Sequence, residues 1–200
     1  MDHQRIVTIG REFGSGGHVI AEGLAKKLGI DFLDQQLIQH VAEQKGLSPE
    51  AIKRFDEKGT DIFFSRAVNG YGNTVSENIA KAQFEVLREF AADGKSFVVV
   101  GRCAEDVLHD VPGLISIFIR SDIPHKVQRV MDKYQLSEDK ALQLMKKMDR
   151  ERKYFHNYYC TNKWGDSRAY DLTVNSAMLG IDGTVDLLEK VVNMRFAETK

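Results

Sequence analysis

Ile6-Val7-Thr8-Ile9-Gly10-Arg11-Glu12-Phe13-Gly14-Ser15-Gly16-Gly17-His18 is the stretch that decides the fold. A β-branched run ends at Gly10 and reads as a buried strand. Four residues of glycine and serine follow, Gly14 to Gly17. Ile20, Leu24 and Leu28, with Ala21 and Ala25, then mark one helical face that stops at Gly29. A strand, a glycine loop and a helix in direct succession fit the opening of an α/β protein, with the loop read either as an anion site or as a turn that only packs.

Working outward, short apolar runs at 30–33, 96–100, 114–119 and 170–175 read as further strands. Helical patterns fall between them, at about 35–44, 74–92, 104–108, 123–134, from Ser137 onward, and 181–196. Val75, Ile79, Ala82, Val86 and Phe90 form the inward face of the second long helix. Ser48 and Pro49 mark a helix start in the less regular stretch 47–72, and Ser137 marks another. Five apolar strands separated by helices predict a three-layer α/β sandwich around a five-stranded parallel sheet. Ligands of such sheets bind beyond the carboxyl ends of the strands. The loops after Gly10, Leu33, Gly101 and Ile119 are therefore expected on one rim.

Composition narrows the function classes. The 200 residues fit one domain, and 42% hydrophobic with 28% charged residues is ordinary for a soluble globular protein. A net charge of −1 gives no electrostatic case for nucleic acid or a membrane surface. The absence of a signal-like N-terminus and of a long apolar run makes cytoplasm the expected location. Cys103 and Cys160 are too few for a disulfide framework or a closed zinc site. His156 and Cys160 are four apart, but two ligands do not make a metal site, and none is expected.

The glycine loop departs from both standard phosphate-binding patterns. Against G-x-x-x-x-G-K-[ST], with Gly16 as the final glycine, Arg11 replaces the first glycine, Gly17 the lysine and His18 the hydroxyl residue. The dinucleotide pattern fails as well, because its third glycine falls at Val19. The strand–loop–helix context still brings backbone N–H groups and a helix dipole to one point.

The segment Thr8 to Gly17, followed by Ile20-Ala21 and Leu24-Ala25, resembles the opening of the cytidylate kinase-like family, whose phosphate loop reads R-E-[FY]-G-S-G-G and lacks the lysine. The likeness continues through Phe32-Leu33-Asp34, Val98 to Ala104, Ile117-Phe118-Ile119 and Asp149-Arg150-Glu151-Arg152. It returns at Tyr158-Tyr159, Trp164-Gly165-Asp166, Tyr170-Asp171-Leu172 and Leu179-Gly180-Ile181. The resemblance implies a P-loop, nucleoside monophosphate kinase-like fold over residues 1–200, with a monophosphate-binding insertion at about 35–92 and a lid at about 135–168. It implies ATP and Mg²⁺ as cofactors and a nucleoside monophosphate such as CMP as acceptor. Arg11, Glu12, Phe13, Gly14, Ser15, Gly16, Gly17 and His18 match the donor-phosphate loop. Asp34 and Arg102 match acceptor-binding positions, Lys126 and Arg129 a basic helix that approaches the nucleotides, and Arg150 and Arg152 the lid arginines.

Phosphoryl transfer needs positioning and charge neutralisation, with little covalent chemistry by the protein. Arginine suits it because its planar fork binds phosphate bidentately. Without the loop lysine, Arg11 is the first candidate to meet the β and γ phosphates and His18 the second. On a helix, Arg150, Lys153, Tyr154 and Asn157 share one side while Arg152 points elsewhere, so both lid arginines need not reach one ligand. Two other readings stand beside the kinase. The missing lysine suits a nucleotide-binding regulator with weak transfer. Gln35 and Gln36, which depart from the pyrimidine-site motif, suit a kinase of another metabolite. The aromatic stretch Tyr154 to Tyr159 is expected to pack the lid or a homodimer contact.

Overall fold

The structure, a computed structural model, describes residues 4–34 and 72–197, with the backbone alone for 72–79. The predicted helices at 35–44 and after Ser48, most of the proposed insertion, and the inward positions Val75 and Ile79 lie outside the described residues and side chains.

Five strands form one parallel sheet: β1 (Ile6–Arg11), β2 (Asp31–Leu33), β3 (Phe97–Val100), β4 (Leu114–Arg120) and β5 (Leu172–Asn175). Their spatial order is β2-β3-β1-β4-β5. Ile6 to Ile9 align with Phe97 to Val100 on one side of β1, and Ile6 to Arg11 align with Leu114 to Ile119 on the other. The chain crosses from β3 over β1 to reach β4, so the loop after β1 sits where the strand order reverses. That switch point is the usual ligand crevice of such sheets.

The described helices are α1 (Gly17–Leu28), α2 (Gly72–Ala92), α3 (Ala104–Val107), α4 (Ile123–Tyr134), α5 (Glu138–Tyr159) and α6 (Ser176–Ala197). Strand side chains alternate between two cores, as the period of two requires. Ile6, Phe97 and Val99 pack with Val86 and Leu87 of α2 and with Ala104, Val107 and Leu108. Val7, Ile9, Val98 and Val100 pack on the opposite face with Ile20, Ala21 and Leu24 of α1 and with Val185, Leu188 and Val192 of α6. A third, smaller cluster joins α4 to α5 through Val127, Val130, Ala141 and Met145, and Phe13 of the glycine loop leans on it.

Local chemistry explains the element ends. α1 stops at Gly29, whose left-handed backbone lets its N–H bond the carbonyls of Ala25 and Lys26. Ser137 is the N-cap of α5 as predicted, but its side chain makes no capping bond. The closing helix is broken at Gly180 (φ 69°, ψ −175°), so its predicted start near Ile181 corresponds to the helix beyond the kink. Thr184 donates its hydroxyl to the Gly180 carbonyl and so secures the restart. No described helix is long and apolar enough to cross a membrane.

Leu188 is fully buried between α6 and the sheet. Leu188→Ala is expected to destabilise the fold by about 2–5 kcal/mol through lost transfer and cavity terms. Urea unfolding at an unchanged slope reads this; an unmoved midpoint would show that α6 lies outside the cooperative core.

Candidate functional site

The loop between β1 and α1 is folded tightly, not extended. Gly14 and Gly16 take φ of 78° and 80°, values that side chains with a Cβ rarely adopt. Ser15 is buried and binds the loop to itself: its hydroxyl donates to the Glu12 carbonyl at 2.8 Å and accepts from the Gly17 N–H at 3.2 Å. Gly16 is the N-cap of α1, and its carbonyl accepts from Ile20 N–H at 2.9 Å. The N–H groups of His18 and Val19 in the first turn have no intrahelical acceptor, as helix geometry dictates, and they stand at the positive end of the dipole. Backbone N–H groups at a helix start of this kind, the mouth of the loop, are suited to an anion.

Neighbouring elements brace it from outside. Glu12 turns away from the mouth; its Oε2 accepts from Ser121 N–H at 3.1 Å and from Lys126 Nζ at 2.9 Å. Arg129 donates to the Gly14 carbonyl and the Ser121 hydroxyl, each at 3.2 Å. Ser176 donates to the Ser15 carbonyl at 2.6 Å. Asp149 Oδ1 accepts from Phe13 N–H at 2.6 Å, and its other oxygen lies 4.0 Å from Lys126 Nζ. Burial raises the Asp149 carboxyl above its usual range, opposed by the Phe13 amide and Lys126.

Three arginines meet beside the mouth. Arg11, the last residue of β1, runs across to the end of β3, where its Nη1 lies so close to Gly101 that a Cβ there would collide with it. Arg152 of α5 donates to the Arg11 carbonyl at 3.2 Å and stacks over the Phe13 ring at 5.3 Å. Burial first, then the charges of Arg152 and Arg102, push Arg11 down to about 9, while Asp34 and Glu105 act the other way. The guanidinium still carries its charge at neutral pH. Arg102 follows β3 on a backbone with three successive left-handed residues, Gly101 (φ 71°), Arg102 (φ 61°) and Cys103 (φ 55°). For the two residues with a Cβ this costs roughly 1–2 kcal/mol each. Strain of this kind persists where the surroundings over-determine it, commonly at functional sites.

The predicted rim is therefore real, and most of the predicted residues meet on it. His18 and Asp34 also come together, Nδ1 to Oδ2 at 2.9 Å, which turns His18 towards the end of β2. Arg150 is exposed, and the arginine of α5 that reaches Arg11 is Arg152 on the other side of the helix. Lys126 is buried against Glu12, and Arg129 donates to the Gly14 carbonyl beside Gly16, so both contact the loop's frame. Asp149, Ser121 and Ser176 were not singled out. Asp149 could have been found, since it stands three residues before Arg152 and so shares its helical face.

Deeper along the same edge lies a second polar group. His156 Nε2 is 2.7 Å from Glu105 Oε1, and Tyr170 donates to that oxygen at 3.3 Å. Burial draws the His156 imidazolium down, but Cys160 and Glu105 outweigh it and raise it to about 10. The Cys160 thiol is pushed well above its usual range by a hydrogen bond with Cys103 and by burial.

Comparison with known proteins places this geometry. A family model described as the cytidylate kinase-like family matches residues 6–178. A crystal structure of an uncharacterized protein from Eubacterium ventriosum is 37% identical, with a TM-score of 0.76 over 95% of this chain and 99% of its own. A cytidylate kinase from Natronomonas pharaonis is 25% identical, over 94% of this chain and 89% of its own. A shikimate kinase structure from Bacteroides thetaiotaomicron, 13% identical, shares the fold at a TM-score of 0.56 over 94% of this chain and 98% of its own.

The two lid arginines are expected to separate on substitution. Losing a hydrogen bond to a charged group costs about 1.5–3 kcal/mol, so Arg152→Ala should weaken inorganic tripolyphosphate binding about tenfold or more by calorimetry. Arg150→Ala should leave it nearly unchanged. Equal losses would show that α5 presents both side chains to the ligand.

Proposed function

The chain belongs to the cytidylate kinase-like family, and on that premise we propose that it is an ATP-dependent phosphotransferase acting on a nucleoside monophosphate, with CMP the leading acceptor. The observation that carries this reading is the convergence of Arg11, Arg102 and Arg152 on a glycine loop at the sheet's switch point. Three like charges in one crevice repel one another and are relieved by a polyanion. The cytidylate kinase of Natronomonas pharaonis supports the choice of acceptor by name and by near full-length similarity.

The loop residues Arg11 to His18 fit a donor triphosphate: two glycines free the backbone to approach it, and α1 adds its dipole. Arg11 takes over the charge that a loop lysine supplies elsewhere. Arg152, held by Phe13 and by the Arg11 carbonyl, closes the mouth from the lid side. Arg102, on its strained turn next to Gly101, is placed to grip the acceptor phosphate, with Asp34 across the rim. The position that gives a hydroxyl to magnesium in the standard loop is His18 here. Asp34, beside it, is the hard oxygen donor at the mouth that would hold Mg²⁺, whose charge neutralises phosphate oxygens when bound. These side chains position and neutralise; none forms a covalent intermediate.

The lysine-free loop favours a second reading, a nucleotide-binding regulator, and one experiment separates the two. An ATP-coupled assay over a monophosphate panel is expected to show turnover, fastest with CMP. Arg11→Ala should lower kcat about a hundredfold, the scale of losing one preorganised charge contact, with Arg11→Lys recovering part of it. ATP binding without turnover on any acceptor would overturn the kinase and select the regulator.

A further inference from the structure

We propose that Glu105, His156 and Cys160 form a binding site for a borderline-soft divalent cation of the zinc type. One carboxylate oxygen, one imidazole nitrogen and one thiol sulfur lie within 4.8 Å of one another. The group lies beside Arg11, whose charge Glu105 feels, and the inference does not rest on the phosphotransferase reading.

Sequence alone offered two ligands, His156 and Cys160. They share one face at the last turn of α5, and the Cys160 N–H, bonded to the His156 carbonyl at 2.8 Å, holds their spacing. The fold adds the third. The left-handed turn after β3 starts α3 so that Glu105 faces His156, and Tyr170 holds the same carboxylate oxygen in place. His156 is 5% exposed, and its Nδ1 is buried without a hydrogen-bond partner among the described residues. Nε2 is the ring nitrogen on the Glu105 side and is the one that would ligate, exchanging its hydrogen bond with the carboxylate for the ion, while Nδ1 lies on the opposite edge of the ring.

The donor set selects the ion. Calcium and magnesium take oxygen ligands, so a thiol and an imidazole argue against both. Zinc accepts N, S and O donors together, and three protein ligands leave its fourth tetrahedral position open to water. Cys103, hydrogen-bonded to Cys160, stands next to the site and orients its sulfur. Coordination releases the Cys160 thiol proton and any proton on the ligating nitrogen, so the charge of the ion is partly matched by the thiolate and by Glu105. Such an ion would tie the end of α5, which carries Arg152, to the loop that carries Arg102.

The test uses the full chain under a non-thiol reductant. Zinc content after desalting, measured by plasma mass spectrometry, is expected at about one equivalent, removable by a chelator, with re-addition raising Tm as ligand linkage requires. Cobalt(II) added to the stripped protein should give a thiolate-to-metal charge-transfer absorption. Cys160→Ser should abolish that absorption and His156→Gln should strongly reduce it. Glu105→Gln, which removes a ligand's charge, should weaken zinc binding by more than the about tenfold to a hundredfold that loss of an outer-shell partner costs. His125→Ala, at an exposed histidine, should change nothing. Circular dichroism checks that each variant is folded. A wild-type protein that neither retains zinc nor shows the cobalt absorption would overturn the proposal, and so would an absorption that survives in Cys160→Ser.

Discussion

Positive charges that repel one another must be held together by contacts with other groups. In this chain the charges are Arg11, Arg102 and Arg152, and burial adds to the repulsion by removing water that would screen it. Each is fixed by a different element. Arg11 is set by the backbone of β1 and lies against Gly101, where only a glycine leaves room. Arg152 is fixed by α5, through the Phe13 ring below it and the Arg11 carbonyl beyond it. Arg102 rides on a turn whose backbone is itself strained. Because the restraints come from the sheet, from α5 and from a loop, the cluster can exist only in the folded chain.

The same logic explains why so many polar groups surround the glycine loop without facing its mouth. Glu12, Ser121, Lys126 and Asp149 form a partly buried network between α4, α5 and the loop. Taking Lys126 and two carboxylates out of water is costly unless their hydrogen bonds are satisfied, and here backbone amides of Phe13 and Ser121 complete the set. Such a network contributes little net stability, but it defines where the loop sits relative to α4 and α5. A mouth made of amides and a helix end has value only if its position is fixed to a fraction of an ångström.

Much of this was legible in the sequence. The β-branched strands, the helical periodicities and the glycine loop led to a five-stranded parallel sheet with its ligand rim, and the loops after β1, β2 and β3 do meet there. Arg11, Asp34 and Arg102 could be placed because strand-end residues of a parallel sheet share an edge by topology, His18 because it opens the helix after the glycine loop, and Arg152 through the family resemblance. Lys126 and Arg129 were read differently because a basic residue near a phosphate site has two uses, ligand or brace. The bracing contact is made through Glu12 for Lys126 and through the Gly14 carbonyl for Arg129. The choice of Arg152 over Arg150 depends on which face of α5 meets the loop, which helical spacing separates but does not orient. The third ligand of the His156–Cys160 pair was invisible for a similar reason. Glu105 lies 51 residues from His156 in the chain, and only the turn after β3 brings it there.

The proposed shift of the loop's charge from the first turn of the helix to Arg11 at the end of the strand has a structural consequence. A lysine in the helix reaches the phosphates from within the loop it belongs to. Arg11 precedes the loop, lies on its β3 side, and is shared by the two elements that must cooperate with it, since its carbonyl holds Arg152 and its guanidinium abuts Gly101 beside Arg102. Any shift of α5 or of the turn after β3 is therefore felt at Arg11 directly.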